Sequence, residues 1–239
     1  MRLRHGRLLG WTLALLAIVL FVALGRWQLG RMDQKQAILD AVAATLEARA
    51  PRPLSLAGEA ARANGYDWAV GRGAFVDAPA VLLDNQQRDG RPGVRAYRLF
   101  DPDAGAPLLV ELGWLPLPGD RTMPAVALPE GPLRLQGLLA PPPSPGLGRA
   151  QLAMAGEVGA VLVTGLDAAA LPDALGVPAL PPRVLKLDPD LALGFARDLD
   201  VLPNTLSPEQ HLGYAVQWFG LALAVLATAL VLTFRRARR

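Results

Sequence analysis

Few side chains in this chain are suited to chemistry, so their placement carries the reading. Of the two histidines, His5 lies among the arginines of the N-terminus, whereas His211 stands at the mouth of the apolar run Leu212 to Phe234. On a helix, Tyr214 and Trp218 share the face of His211 at i+3 and i+7. Two readings of that face stand side by side. Tyr and Trp favour the headgroup level of a membrane, and a histidine among them can simply hydrogen-bond. Alternatively, the imidazole is placed to ligate a metal centre carried by an amphiphile, with aromatic rings to pack against it. After the first apolar run, Trp27, Arg31 and Lys35 recur at four-residue intervals, so one helical face offers a ring followed by two cations. Those cations either snorkel as an anchor or donate to an anionic group.

Other chemistry has little to rest on. The absence of cysteine excludes disulfides, thiolate metal ligation, a CxxC redox pair and covalent c-type haem attachment. Three serines (Ser55, Ser144 and Ser207) lie outside any GxSxG elbow, and HExxH, Walker A and GxGxxG patterns are missing, so the expectation is a protein that is not an enzyme. The pairs Asp101 with Asp103, Asp188 with Asp190 and Asp198 with Asp200 have the DxD spacing of a divalent-cation site. Two of them enclose a proline, which favours solvated turns. Arg88, Arg91, Arg95 and Arg98 cluster around a turn rich in Gly and Pro and read as a solvated loop and strand face, with anion contact as the functional alternative.

The elements that must position these residues start with two membrane spans. Leu8 to Gly25 and Leu212 to Phe234 carry no charge, and at about 1.5 Å per residue they approach or exceed the roughly 30 Å of bilayer hydrocarbon. Arg2, Arg4 and Arg7 precede the first; Arg235, Arg236, Arg238 and Arg239 follow the second. Lys and Arg near a span mark its cytoplasmic side, so both tails are expected inside and the middle outside. A cleaved signal peptide ending at the small residues Ala23 and Gly25 competes for the first run. The seven tail arginines account for the basic balance, leaving 17 basic against 21 acidic residues between them; the net charge therefore makes no case for nucleic acid.

Helical spacing continues from Leu29 to about Arg49, through Met32, Ile38, Leu39, Val42 and Leu46, until Pro51 and Pro53 end it. Short strands are predicted at Trp68 to Val76, Ala80 to Asp84, Val94 to Phe100, Leu108 to Trp114, Leu133 to Leu139 and Arg183 to Leu187. A short helix is predicted around Asp167 to Leu175, within a stretch from Pro141 to Pro182 that is otherwise hard to read. The fold class is α+β: two terminal transmembrane helices flanking one extracytoplasmic, mainly antiparallel β domain, either a sheet or a small barrel. The expected layout is a cytoplasmic tail 1–7, spans 8–25 and 212–234, an extracytoplasmic domain 26–211 and a tail 235–239.

Four segments in order resemble the surfeit locus protein 1 family. They are Gly25-Arg26-Trp27-Gln28-Leu29 with Arg31 and Lys35; Val70 to Phe75 with Leu82-Leu83-Asp84-Asn85, Gly90, Gly93 and Tyr97; Leu109 to Pro116, ending in Gly-Trp-x-Pro; and Asn204 with His211-Leu212-Gly213-Tyr214-Ala215-Val216-Gln217-Trp218-Phe219. The last is similar to the family's His-Leu-x-Tyr-Ala-x-x-Trp-Phe entry into the second span. The chain departs from the family at Glu111-Leu112, where Asn-Arg is usual, and at Gln210, where Asn is usual.

The resemblance implies an assembly factor for haem-copper cytochrome oxidase that handles haem a as its catalytic subunit is filled. His211 would be the iron ligand, and Tyr214, Trp218, Trp27, Arg31 and Lys35 would line the cofactor. The implied partners are that subunit, the haem a synthesis machinery and membrane lipids. The implied location is a bacterial inner membrane, with the central domain periplasmic. A scaffold that binds no cofactor and steadies an immature oxidase subunit is the alternative.

Overall fold

The computed structural model describes residues 2–143, 152–155, 159–203 and 205–237. Asn204, Ser144 and the side chain of His5 lie outside that description. Two compact units divide the chain: residues 1–40 with 205–239, and residues 41–204.

The first unit is helical. Helix α1, Arg2–Ala48, forms because proline is absent from the first 50 residues and Leu and Ala, both strong helix formers, dominate. It stops at Arg49, whose φ of 39° leaves the helical region ahead of Pro51. Across the chain, helix α3 spans Pro208–Ala237. Both helices are long and apolar enough to cross a membrane. Leu8, Leu16, Val19, Leu223 and Phe234 are each more than 60% exposed; a bilayer, unlike water, accepts such a surface.

The seam within this unit is set by small residues. Gly25 lies so close to Phe219 that a Cβ built there would meet the ring at 2.7 Å, which lets the helices approach as small residues do in membranes. Phe21 stacks on Trp218 with centroids 5.6 Å apart. Toward the other end, Trp11 Nε1 donates to Thr233 Oγ1 at 3.2 Å.

The second unit is a sheet of nine strands: β1 Arg52–Pro53, β2 Asp67–Phe75, β3 Ala80–Arg88, β4 Arg91–Pro102, β5 Leu108–Pro116, β6 Pro132–Ala140, β7 Leu152–Ala155, β8 Ala160–Val163 and β9 Val184–Leu187. Their order is β1-β2-β6-β9-β5-β4-β3-β8-β7, and β2 also pairs with β4. That extra pairing, Gly73 to Pro102 through Phe75 to Phe100, closes β2, β6, β9, β5 and β4 into a circuit. The sheet is therefore a small barrel with β3, β8 and β7 running on from one side. Pairings are antiparallel except β1–β2, β3–β8 and β5–β9.

Strand alternation sorts the apolar residues into two cores. Leu82, Val94, Ala96, Phe100, Val110, Leu112, Leu135, Leu139, Leu185 and Leu187 share one cluster. Val81, Leu83, Tyr97, Leu99 and Leu109 belong to another, capped by Leu171 and Leu175 of the short helix α2, Leu171–Leu175. Val42 and Leu46 of α1 cover Leu138 and Ala140 in a third.

Differences from the sequence-based expectations have local causes. Strand β3 continues past Asp84 because Asn85, at φ 58°, takes a bulge instead of a turn, its N–H donating to Asp84 Oδ1 at 2.7 Å. Strands β7 and β8 occupy part of the stretch that was hard to read. Of the Arg88 to Arg98 cluster only Arg91 is exposed as a solvated face requires: Arg95 is buried against Glu111 at 2.5 Å, Arg88 donates to Asp198 at 2.8 Å, and Arg98 donates to the carbonyls of Ala78 and Val126. Asp188 is also no solvated turn residue. It is buried, accepting from Gln136 Nε2 at 2.7 Å and from the Asp190 N–H at 3.1 Å. Asp198 accepts from the Asp200 N–H at 3.2 Å, which makes that pair a turn.

Candidate functional site

His211 is positioned by the start of α3. Ser207 caps the helix by accepting the Gln210 N–H at 3.3 Å, and Gln210 Oε1 accepts the Ser207 N–H at 2.8 Å. This reciprocal pair is a capping box, with Pro208 at the first helical position where its missing N–H costs nothing. The departure at Gln210 thus has a structural use: its side chain reaches back to close the box. His211 then falls in the first turn, its N–H bonded to the Ser207 carbonyl at 3.1 Å.

The imidazole is 5% exposed, and its Nδ1 lies 2.6 Å from Gln28 Oε1 on α1. Nε2 is buried and has no hydrogen-bond partner. Gln28 is itself buried. Its place on α1 follows from the spacing of the buried positions Gly25, Gln28, Lys35 and Val42, which recur at three or seven residues. Spacing of that kind keeps one stripe of a helix turned inward over many turns.

The six site residues expected from the sequence do not share one surface. Lys35 is 6% exposed and pairs with no carboxylate among the described residues. Its charge, and next that of Arg31, acts on the His211 ring. Arg31 is exposed and donates to Gln34 Oε1 at 2.9 Å. Trp27 and Tyr214 are exposed, at 57% and 42%, while Trp218 is half-buried against Phe21. Four-residue steps advance about 40° each around a helix, which carries the face from outward at Trp27 to inward at Lys35. The residue missed is Gln28. Its signal was available: a polar amide seven positions before Lys35, on the same stripe.

A buried ligand atom and an unpaired buried cation suit a metal-bearing anionic group. Haem presents such chemistry, an iron that takes imidazole and propionates that take cations. His211 would hold the iron and Lys35 with Arg31 the propionates. No cluster of three or more His, Asp or Glu that could hold a bare metal ion occurs among the described residues.

Two long apolar helices at the ends of the chain and a barrel-like β unit between them in sequence define a membrane protein in which His211 and Gln28 meet at the helix seam. A family model described as the SURF1 family matches residues 15–223, and the chain belongs to that family. The family is associated with cytochrome oxidase assembly. No curated protein matches the chain.

Proposed function

We propose that this protein binds haem a at the outer edge of the membrane and aids its insertion into the catalytic subunit of a haem-copper oxidase, without catalysing a reaction itself. One observation carries the reading: a buried imidazole whose Nδ1 is bonded and whose Nε2 is left without a partner. Buried polar atoms ordinarily find partners, and unlike the other unpartnered buried nitrogens, on arginines and a tryptophan, an imidazole nitrogen can bind a metal. When bound, haem a supplies an iron for one imidazole, propionates for cations and a hydrocarbon tail suited to lipid. The chain's own part is to hold that group at the boundary, with Lys35 and Arg31 drawing the anionic edge and the exposed Trp27 and Tyr214 resting at headgroup level.

Purification of the protein from cells that make haem a, followed by its visible spectrum, tests this. His211→Ala should abolish or strongly alter the haem absorption while His5→Ala leaves it unchanged. Retention of an unaltered spectrum by His211→Ala would place the iron ligand elsewhere and return His211 to the role of an interfacial anchor. In the same cells, Arg31→Glu should impair oxidase maturation at normal protein level; equal loss of protein and oxidase would favour anchoring for that face.

A further inference from the structure

We propose that Gln28 is the positioning residue of this site: its carbonyl holds the hydrogen of His211 on Nδ1 and so presents the Nε2 lone pair as the donor to iron. The inference rests on the haem reading above and goes beyond it to a residue on the other helix. Gln28 and His211 stand 183 positions apart in the chain, yet the oxygen of one lies 2.6 Å from Nδ1 of the other and both residues are buried. With the carbonyl oxygen of Gln28 facing the ring, and a carbonyl oxygen able only to accept, Nδ1 carries the hydrogen in this arrangement. In a neutral imidazole the second nitrogen is then an acceptor, and Nε2 is the atom with no partner. Left as it stands, that acceptor is a buried polar group without its bond. A metal is the partner that completes it.

The choice of an amide also fits a carrier. A carboxylate on Nδ1–H would draw the hydrogen toward itself, give the ring imidazolate character and strengthen its hold on iron. A neutral carbonyl fixes the tautomer and the ring plane with a smaller push. It also leaves the positive charge of Lys35 and Arg31 uncompensated at this point, available to an anionic group. The approach of the two side chains depends on the seam, where Gly25 stands one turn before Gln28 and Ala215, also buried, one turn after His211.

The chain has two histidines, so in a His5→Ala background His211 is the sole source of imidazole signals. In the haem-free, full-length protein in detergent, long-range nitrogen-proton spectra of labelled histidine should show the Nδ1–H tautomer. Gln28→Leu should convert it to a mixture or to Nε2–H. Loaded with haem a, Gln28→Glu, of nearly the same shape, should keep haem, raise the iron–imidazole stretching frequency and lower the midpoint potential. Gln28→Leu should bind haem a about 10–100-fold more weakly. An Nε2–H tautomer in the haem-free parent overturns the proposal, whatever the protein binds. So does a Gln28→Glu protein with unchanged stretch and potential. Haem retained unaltered by His211→Ala overturns the iron reading instead, and the haem-free spectra still decide the tautomer.

Discussion

At the scale of single residues, the β unit buries the carboxylate of Glu111, which is 1% exposed. It accepts from Arg95 Nη1 at 2.5 Å, Lys186 Nζ at 2.8 Å and the Tyr97 hydroxyl at 3.1 Å. Burial alone would raise its pKa; Lys186 and Arg95 outweigh burial and hold the carboxyl below the usual carboxylate range. Burial, and next the charge of Glu111, push the Tyr97 hydroxyl well up, so it remains a donor. Between the lowered folded value and the ordinary unfolded one, the unfolded chain binds more protons. The Glu111 contribution is therefore complete above the ordinary carboxylate pKa and is lost as pH falls through the folded one. Urea melts at neutral and acidic pH should show stability falling on acidification, with a shallower fall in Glu111→Gln. That substitution should also cost about 3–5 kcal/mol near neutrality, since it strands two buried cations. Equal pH slopes for both proteins would show that Glu111 is not the titrating group. Asp67 acts in the same sense, its lowered pKa set by Arg62 and Arg183 against burial.

At the scale of elements, the Gly-Trp of strand β5 explains itself by geometry. Gly113 has φ +125°, and a Cβ there would meet the Ala196 and Phe195 carbonyl oxygens at 2.8 Å. The strand is bulged at this point, with Trp114 N–H donating to the Ala196 carbonyl and Phe195 N–H to that of Leu112, each at 2.7 Å. Gly90, in the hairpin between β3 and β4, also has positive φ, yet a Cβ there meets nothing. Gly113→Ala should therefore destabilise the β unit by at least about 1–3 kcal/mol, and by more than Gly90→Ala, in thermal or urea unfolding. Equal losses would mean that the close approach yields more easily than backbone carbonyls ordinarily do. The helical elements make a parallel point: Ser207 and Gln210 are a readable start signal, and together they set the residue from which His211 projects.

At the scale of the whole molecule, the arginines outside the two apolar helices predict that both ends of the chain lie in the cytoplasm. The cysteine-free sequence makes the orientation easy to test. A single cysteine introduced as Glu59→Cys, an exposed position of the second unit, should react with a membrane-impermeant maleimide in intact cells or spheroplasts. A reporter fused after Arg239 should be active only on the cytoplasmic side. The reverse pattern would invert the topology, and a mature protein beginning just after Gly25 would make the first helix a cleaved signal.

The sequence by itself determined the two apolar helices, the class of the central domain, most of its strands and the identity of His211 as a residue of interest. These rest on signals local in the chain: uncharged runs, period-two alternation, and Pro, Gly and Asp punctuation. Only the tertiary structure decided that the sheet closes through β2 and β4, that Arg95, Lys186 and Asp188 are buried, and that β7 and β8 occupy the stretch of low contrast after Pro141. It also decided that Gln28 meets His211. Each of these depends on which distant segment lies alongside. A charge is legible as buried only once its partner is known, and Glu111 lies 16 positions from Arg95 and 75 from Lys186. A helical face read by four-residue steps drifts around the axis, whereas the seam between two helices selects the three-and-four spacing that leads from Gly25 through Gln28 to Lys35.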